Sequence, residues 1–335
     1  MRNARTFAKT IAHNDNAALR SSITLLMTQL MTSKKILVIG SSNTDMSVKS
    51  IKLPKPGETV LGDDFRMGPG GKGANQAVAA RRLGGDVCFI CKLGKDMFGE
   101  KALEHYRSCG LDVSRILYSD KPSGIALITV DSLAENSIVV ASGANADITP
   151  EDIDASADII RSAGMLLLQL EIPMPAVVRA AEIAHEYGVK VVLNPAPATK
   201  LPEELLRCVS ILIPNETEAS AISGIDITDL KTAGKAANLL KSKGVREIII
   251  TMGSRGSVVC DGETTFIPAR KVNAVDTTAA GDTFCGGVCV ALSEGKDIYD
   301  AVRFATVASS IAVQRPGAQD SVPSRQEVDY IMNNN

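Results

Sequence analysis

From Lys35 onward the chain alternates short apolar runs with helix-like stretches, and this rhythm restricts the possible folds more than any other feature. The runs "KILVIG", "DVCFICKLG", "GMLLLQLE", "KVVLNPAP", "SILIPNE" and "EIIITMG" read as strands. Segments such as "AVVRAAEIAHEYG" and "KTAGKAANLLKSKG" lie between them and close on glycine, as helices do. Strand–helix–strand repetition calls for a mostly parallel sheet covered on both faces by helices, a three-layer α/β/α domain expected over residues 33–330. Two stretches break the rhythm: "TVLGDDFRMG" and "SGIALITVDSLAENSIVVASG". They suit a small antiparallel sheet set apart from the main layers, with strands expected in about 43–67 and 122–142. Such a sheet could be a lid, with "GPGGKG" as its flexible junction, or an edge extension of the main sheet.

Composition narrows the class. The chain has 335 residues, 45% hydrophobic and 22% charged, with a net charge of -2, which is ordinary globular composition. So balanced a charge argues against a surface built by bulk charge for nucleic acid or membrane. No run approaches the ~18 apolar residues of a membrane span. Seven cysteines, an odd number in apolar segments, read as reduced thiols of a cytoplasmic protein. Cys88 and Cys91 form a CxxC within an expected strand, where side chains three apart point to opposite faces, so a shared zinc is disfavoured. Residues 1–32 stand apart, nearly free of acids, with faint transit-peptide character. The favoured reading is an upstream start, because Met31 immediately precedes the first strand.

In open α/β sheets ligands bind at the carboxyl ends of strands, so the residues just after each strand are informative. "KILVIG" leads to Asn43 and Asp45, "GMLLLQL" to Glu171, "KVVL" to "NPAP", "SILI" to "PNETE", and "EIII" to "TMGSRG". "GPGGKGANQ" (68–76) is neither a Walker A loop, since Lys72 precedes Gly73, nor a dinucleotide fingerprint, since it ends in Gln76. It remains a glycine loop with Lys72 and Asn75 as donors, or a hinge. In "PNETE", Asn215 and Glu218 share a helix face, as a capping box, as an acid near Mg2+, or as both. "TMGSRG" (251–256) could cradle phosphate oxygens or simply turn a hairpin. "VDTTAAGDTF" (275–284) is the most specific element: Ala279, Ala280 and Gly281 leave backbone N–H groups uncovered at a helix start. Asp282 in the same turn could take a proton from an attacking hydroxyl, which suits phosphoryl transfer.

In this order the motifs resemble the ribokinase/PfkB family of carbohydrate kinases, from about Lys35 to about Glu327. The resemblance rests on "GGKGANQAVAA" and "VDTTAAGDTF", with "NPAP", "PNETEA", "GSRG" and "GAQDSVP" between and after them. It implies transfer of the ATP γ-phosphate to the 5-hydroxyl of D-ribose, and a homodimer formed through the lid. Asp282 would be the base, with the N–H groups of Ala280, Gly281 and Asp282 as the anion hole. Asn43, Asp45, Gly71, Lys72, Gly73, Asn75 and Glu171 match sugar-binding positions. Asn215, Thr251, Met252, Gly253, Ser254, Arg255, Gly256 and Thr306 match nucleotide positions, and Glu218 the acid that organises Mg2+ through water. Asp276, Thr278, Ala312, Arg315, Gly317 and Ser321 match the site of an activating K+. Ala279, Pro316 and Thr306 depart from the commoner family residues. The alternatives are a kinase for another small sugar, such as 2-deoxyribose or fructose, and a sugar sensor without catalysis. A nicotinamide dehydrogenase fails for want of its fingerprint.

Overall fold

The computed structural model describes residues 35–133 and 135–334; the expected N-terminal extension, 1–32, lies outside the described residues. The main sheet has eight strands. In spatial order they are β14 (Thr264–Pro268), β13 (Gly256–Cys260), β12 (Glu247–Thr251), β11 (Ile211–Leu212), β10 (Lys190–Leu193), β9 (Met165–Leu168), β1 (Lys35–Ile39) and β4 (Asp86–Ile90). From β4 through β12 every pairing is parallel; at one edge the pairings of β13 with β12 and with β14 are antiparallel, so β13 alone runs against the others. The six runs read as strands are β1, β4, β9, β10, β11 and β12.

Alternation along these strands builds two cores. Leu37 and Ile39 of β1, with Leu166 and Leu168 of β9, face one way and pack on the helices Met174–Glu186 and Leu230–Ser242. Ile36, Val38 and Leu167 face the other way, onto the helices Lys72–Arg82, Ala280–Ser293 and Ile298–Ala312. Each apolar side chain so buried contributes roughly 1.5–3 kcal/mol, so a strand apolar on both faces is held from both layers. Cys88 falls in the first core and Cys91 in the second, as the strand geometry of the CxxC requires. All seven cysteines are free thiols, six buried and Cys109 half-buried.

The small sheet is real but not wholly antiparallel. It contains β2 (Asn43–Ser50), β3 (Gly62–Gly70), β7 (Gly124–Val130) and β8 (Asn136–Ala141), in the order β3-β2-β7-β8. Its central pair, β2 with β7, is parallel, while the two outer pairs are antiparallel. The sequence could not reveal this, because β2 and β7 are joined through β4 and a long connection rather than a hairpin. The remaining strands, β5 (Lys92–Gly94) and β6 (Leu117–Ser119), form a separate parallel pair.

Two features of this architecture position the site. Sheet order reverses at β1, which pairs with β4 on one side and β9 on the other, opening a crevice at their carboxyl ends. The helix Ala280–Ser293 also lies hard against Lys72–Arg82: a Cβ at Gly286 would come within 2.8 Å of the Ala80 backbone nitrogen. This close approach sets the N-termini of the two helices side by side.

Candidate active site

Both helix starts open onto one cavity of about 200 Å3. Its lining includes Lys72 at one helix start and Ala279, Ala280, Gly281 and Asp282 at the other. Asn194 and Ala196 after β10, Asn215 and Glu218 after β11, and Thr251 at the end of β12 complete most of the wall.

Ala279 caps the second helix in the left-handed conformation, φ 56°, and turns the chain so that the first-turn N–H groups face the cavity. Ala280 N–H is taken by the Thr277 carbonyl at 3.2 Å. The three-donor anion hole expected from the sequence is therefore narrower here: of its three N–H groups, only those of Gly281 and Asp282 make no hydrogen bond among the described residues. A Cβ at Gly281 would meet nothing within 4 Å, so protein packing does not demand glycine there; the space belongs to the cavity.

Asp282 is buried and held from two sides. Asn75 Nδ2 donates to its Oδ2 at 3.0 Å, and Gln76 Nε2 donates to its Oδ1 at 2.9 Å. Behind Asn75, Gln319 Nε2 donates to Asn75 Oδ1 at 3.0 Å, and His105 Nε2 lies 2.8 Å from Gln319 Oε1. Behind Gln76, Gln169 Nε2 donates to Gln76 Oε1 at 2.6 Å. Gln76 also donates to Asn194 Oδ1, whose own amide nitrogen bonds the Ile213 carbonyl.

Lys72 sits among carboxylates. Burial draws its pKa down, but Asp282, Glu171 and Glu218 outweigh it and leave the ammonium above its ordinary value. Glu218 is pushed up by burial, partly offset by the Asn215 N–H and by the charge of Lys72. It also closes a capping box, accepting from Asn215 N while Asn215 Oδ1 accepts from Glu218 N. The capping reading of "PNETE" holds, and the same carboxylate faces the cavity.

The other face of Lys72 leads to the start of β2. Glu171 Oε2 accepts from Ser41 Oγ at 2.6 Å and from Lys72 N at 3.0 Å. Asp45 is raised to about 6, first by burial and then by the charges of Glu171 and Asp282. Its carboxylate fits because residue 70 is glycine, where a Cβ would come within 2.1 Å. Asn43 Oδ1 accepts from Asn145 Nδ2 at 2.7 Å. Gly71, with φ 88°, turns β3 into the helix, and Gly73 N bonds Ser41 Oγ at 3.2 Å. The expected sugar positions thus converge with Asp282 around Lys72.

The expected nucleotide positions are less uniform. Asn215 and Thr251 line the cavity and are bridged to each other. Gly253 and Ser254 are exposed beside it, in the hairpin turn from β12 to β13. Met252 points its side chain into the core, and Arg255 pairs with Glu216 and the Thr228 carbonyl. Gly256 is required by packing, since a Cβ would meet the Ile267 carbonyl at 2.2 Å. Thr306 is buried with its hydroxyl spent on the Val302 carbonyl.

At the expected cation loop, Asp276 Oδ1 accepts from Thr278 N and Oδ2 from Gly317 N, each at 2.9 Å, joining the two segments. Burial opposes the charge of Asp276, but these donors prevail and its pKa is lowered. Ala312 accepts from Arg315 N, the Arg315 side chain pairs with Glu327, and Ser321 bonds the Ala318 carbonyl. Among the described residues, no group of three or more His, Cys, Asp and Glu side chains could hold a metal. No described helix is long and apolar enough to cross a membrane.

The sequence reading missed Gln76, Gln169, Asn145, Asn194 and Gln319. Each is a buried amide; Gln169 and Asn194 directly follow strands, Gln319 lies in the turn between the last two helices, and Gln76 directly follows Asn75 in the glycine-loop motif.

Comparison with known proteins agrees with this geometry. Residues 33–325 match the family described as pfkB family carbohydrate kinase. A ribokinase of Haemophilus influenzae is 44% identical over 296 residues, covering 88% of this chain and 97% of that protein. A deoxyribokinase of Salmonella typhimurium is 35% identical over 306 residues, 90% of this chain and 99% of its own. The solved structure of Arabidopsis thaliana ribokinase complexed with ribose and ATP superposes with a TM-score of 0.84 at 34% identity, covering 89% of this chain and 98% of that one. A cavity at the carboxyl ends of a parallel sheet, an acid in the first turn of a small-residue helix, and a match over nearly the whole described chain place this protein in the pfkB family of carbohydrate kinases.

Proposed function

We propose that this chain is a cytoplasmic enzyme that transfers the γ-phosphate of ATP to the 5-hydroxyl of D-ribose. The observation that carries the reading is Asp282: a buried carboxylate at a helix start, beside two free N–H groups, opposite the charged Lys72. Relatives named as ribokinases at 44% and 41% identity support the choice of sugar.

The sugar lies between Asn43, Asp45, Glu171 and Lys72, with its 5-hydroxyl against Asp282. One ionised carboxylate can accept from two neighbouring hydroxyls, which suits Asp45 to a vicinal diol. The nucleotide lies across Asn215, Thr251 and Gly253. As the hydroxyl oxygen bonds to the γ-phosphorus and the bond to ADP breaks, Asp282 takes the hydroxyl proton. The Gly281 and Asp282 N–H groups and Lys72 meet the negative charge on the transferring group. Glu218, cavity-facing and fixed by Asn215, fits an Mg2+ reached through water, which when bound neutralises phosphate charge. Asp276, with the carbonyl-rich segments that its side chain joins, fits a K+ beside the helix start. The small sheet acts as a lid over the sugar and as the contact of a homodimer.

The test is ADP release from ATP and Mg2+ across a panel of sugars, with K+ or Na+ as the only monovalent cation. Strong stimulation by ribose in K+ supports the reading. Turnover with 2-deoxyribose or fructose instead keeps the chemistry and overturns the sugar. Sugar binding with no turnover points to a sensor. Asp282→Asn should bind sugar yet lose at least ~10²-fold in kcat, and wild-type turnover would remove Asp282 from the mechanism.

A further inference from the structure

Gln76 is wholly buried, does not line the cavity, and spends its entire amide on three partners. Those contacts have a direction. On one side of Asp282, Gln319 donates to Asn75 and Asn75 donates to Oδ2. On the other side, Gln169 donates to Gln76 and Gln76 donates to Oδ1. Two amide relays therefore run the same way and end on the two oxygens of one carboxylate. Hydrogen bonds aligned in this way polarise one another, and they leave the acceptor little freedom to rotate.

The restraint matters because Asp282 has a competing partner. Lys72 lines the same cavity, and its charge and that of Asp282 act on each other. A carboxylate free to swing would close on the ammonium, aiming its lone pairs away from an incoming hydroxyl. Asn75 alone fixes one oxygen; Gln76 fixes the other and so sets the rotation about the Cβ–Cγ bond.

We infer that Gln76 is a positioning residue for phosphoryl transfer: buried behind Asp282 and out of reach of substrate, it holds the proposed base in its reactive orientation against the pull of Lys72. This rests on the reading of Asp282 as the base. The loss should fall on the chemical step, with little change in substrate binding, because Gln76 itself does not line the cavity.

The experiment compares wild type, Gln76→Leu, Gln76→Glu and Asp282→Asn as purified full-length chains. For each, kcat, KM for ribose, the dissociation constant of ribose and the thermal midpoint are measured. Gln76→Leu keeps volume but removes the donor; it should lower kcat roughly 10- to 100-fold, the scale of a small misplacement of a reacting group. Its ribose dissociation constant should stay within about threefold, since of the three groups that lose a partner, Asp282, Asn194 and Gln169, only Asp282 is placed against the sugar. Gln76→Glu sets a second carboxyl against Asp282, with Lys72, Asp45, Glu171 and Glu218 already near, so the pair titrates as a unit. The acid limb of its kcat/KM profile should move to higher pH, which reports that residue 76 is coupled to the base, while its orienting role is read from kcat in Gln76→Leu.

If Gln76→Leu does not fold, Gln76→Met, which also lacks the donor, takes its place with the same expected loss in kcat. Wild-type kcat in Gln76→Leu, or an unmoved acid limb in Gln76→Glu, overturns the inference while Asp282→Asn remains impaired. Undiminished turnover in Asp282→Asn overturns the reading of the base, and the inference with it.

Discussion

Ala279 holds φ at 56°, alone among the described non-glycine residues in the left-handed region. That conformation costs an L-residue about 1–2 kcal/mol, and glycine would relieve it at a smaller entropic cost in the unfolded chain. Ala279→Gly should therefore stabilise the fold by roughly 0.5 kcal/mol in urea titration while leaving turnover near wild type; a loss of stability would show that the Ala279 methyl packs more usefully than its strain costs. Asp45 offers a sharper trade. Its pKa in the folded protein is raised to about 6 from 3.8, so the native state binds the proton more tightly than the unfolded chain. The contribution of Asp45 to stability is thus whole at low pH and lost as pH rises through about 6. Asp45→Asn should be the more stable protein at pH 7.5, by on the order of 2 kcal/mol, with the gap closing as pH falls toward the ordinary aspartate range. The same variant should bind ribose more weakly, and denaturation at several pH values with sugar titration checks both halves. Asp45, Lys72 and Asp282 were legible because each belongs to a run of small or polar residues just after an apolar strand run or at a helix start. Gln76, Gln169, Asn194 and Gln319 were not, because one amide in four distant segments has no pattern until topology brings them together.

At the level of elements, the helix Glu216–Ser223 carries two duties on one side chain. Glu218 completes the capping box with Asn215 and also faces the cavity. Its capping half could be read from spacing, since an Asn with a Glu three residues later is a helix-start signal; its cavity half could not. Gln at that position still caps, so Glu218→Gln separates the duties. Stability should change by less than ~0.5 kcal/mol, because the side-chain acceptor for Asn215 N survives. The Mg2+ concentration needed for half-maximal turnover should rise severalfold, and an unchanged Mg2+ requirement would remove Glu218 from the metal's surroundings. Six strands of the main sheet were recoverable from apolar runs alone, down to the opposite faces of Cys88 and Cys91. Their partners in the small sheet were not. β2 and β7 read as members of two local hairpins, whereas they pair in parallel with each other across a long connection. Alternation within a strand fixes which side chains share a face, but leaves open which strand lies beside it.

For the whole molecule, register decides what the small sheet presents on each side. Asn43 and Asp45 share the face of β2 turned toward Asn145, Glu171 and Lys72, so the residues between and beyond them point away. Met46 is in register with Met67 on one neighbour and Leu127 on the other, and Leu127 with Val139. One apolar row therefore crosses all four strands on the face opposite Asp45, with Phe65 in the adjacent row beside Val48. Its members are open to solvent in the single chain: Phe65 61%, Leu127 50% and Val139 65% exposed. A contiguous apolar face of this kind on a sheet backed by a charged site asks for a cover, and a second copy would meet it with the same row by two-fold symmetry. The chain should accordingly sediment as a dimer at micromolar concentration. Leu127→Asp, in the centre of the row, should dissociate it without unfolding, since the side chain is half exposed and lies away from both cores. If the sheet also closes over sugar, the monomer should show a raised KM for ribose, because the face that backs Asp45 and Asn43 has lost its support. A wild-type chain that sediments as a monomer would remove the dimer. A dimer that survives Leu127→Asp would place the contact elsewhere on the molecule.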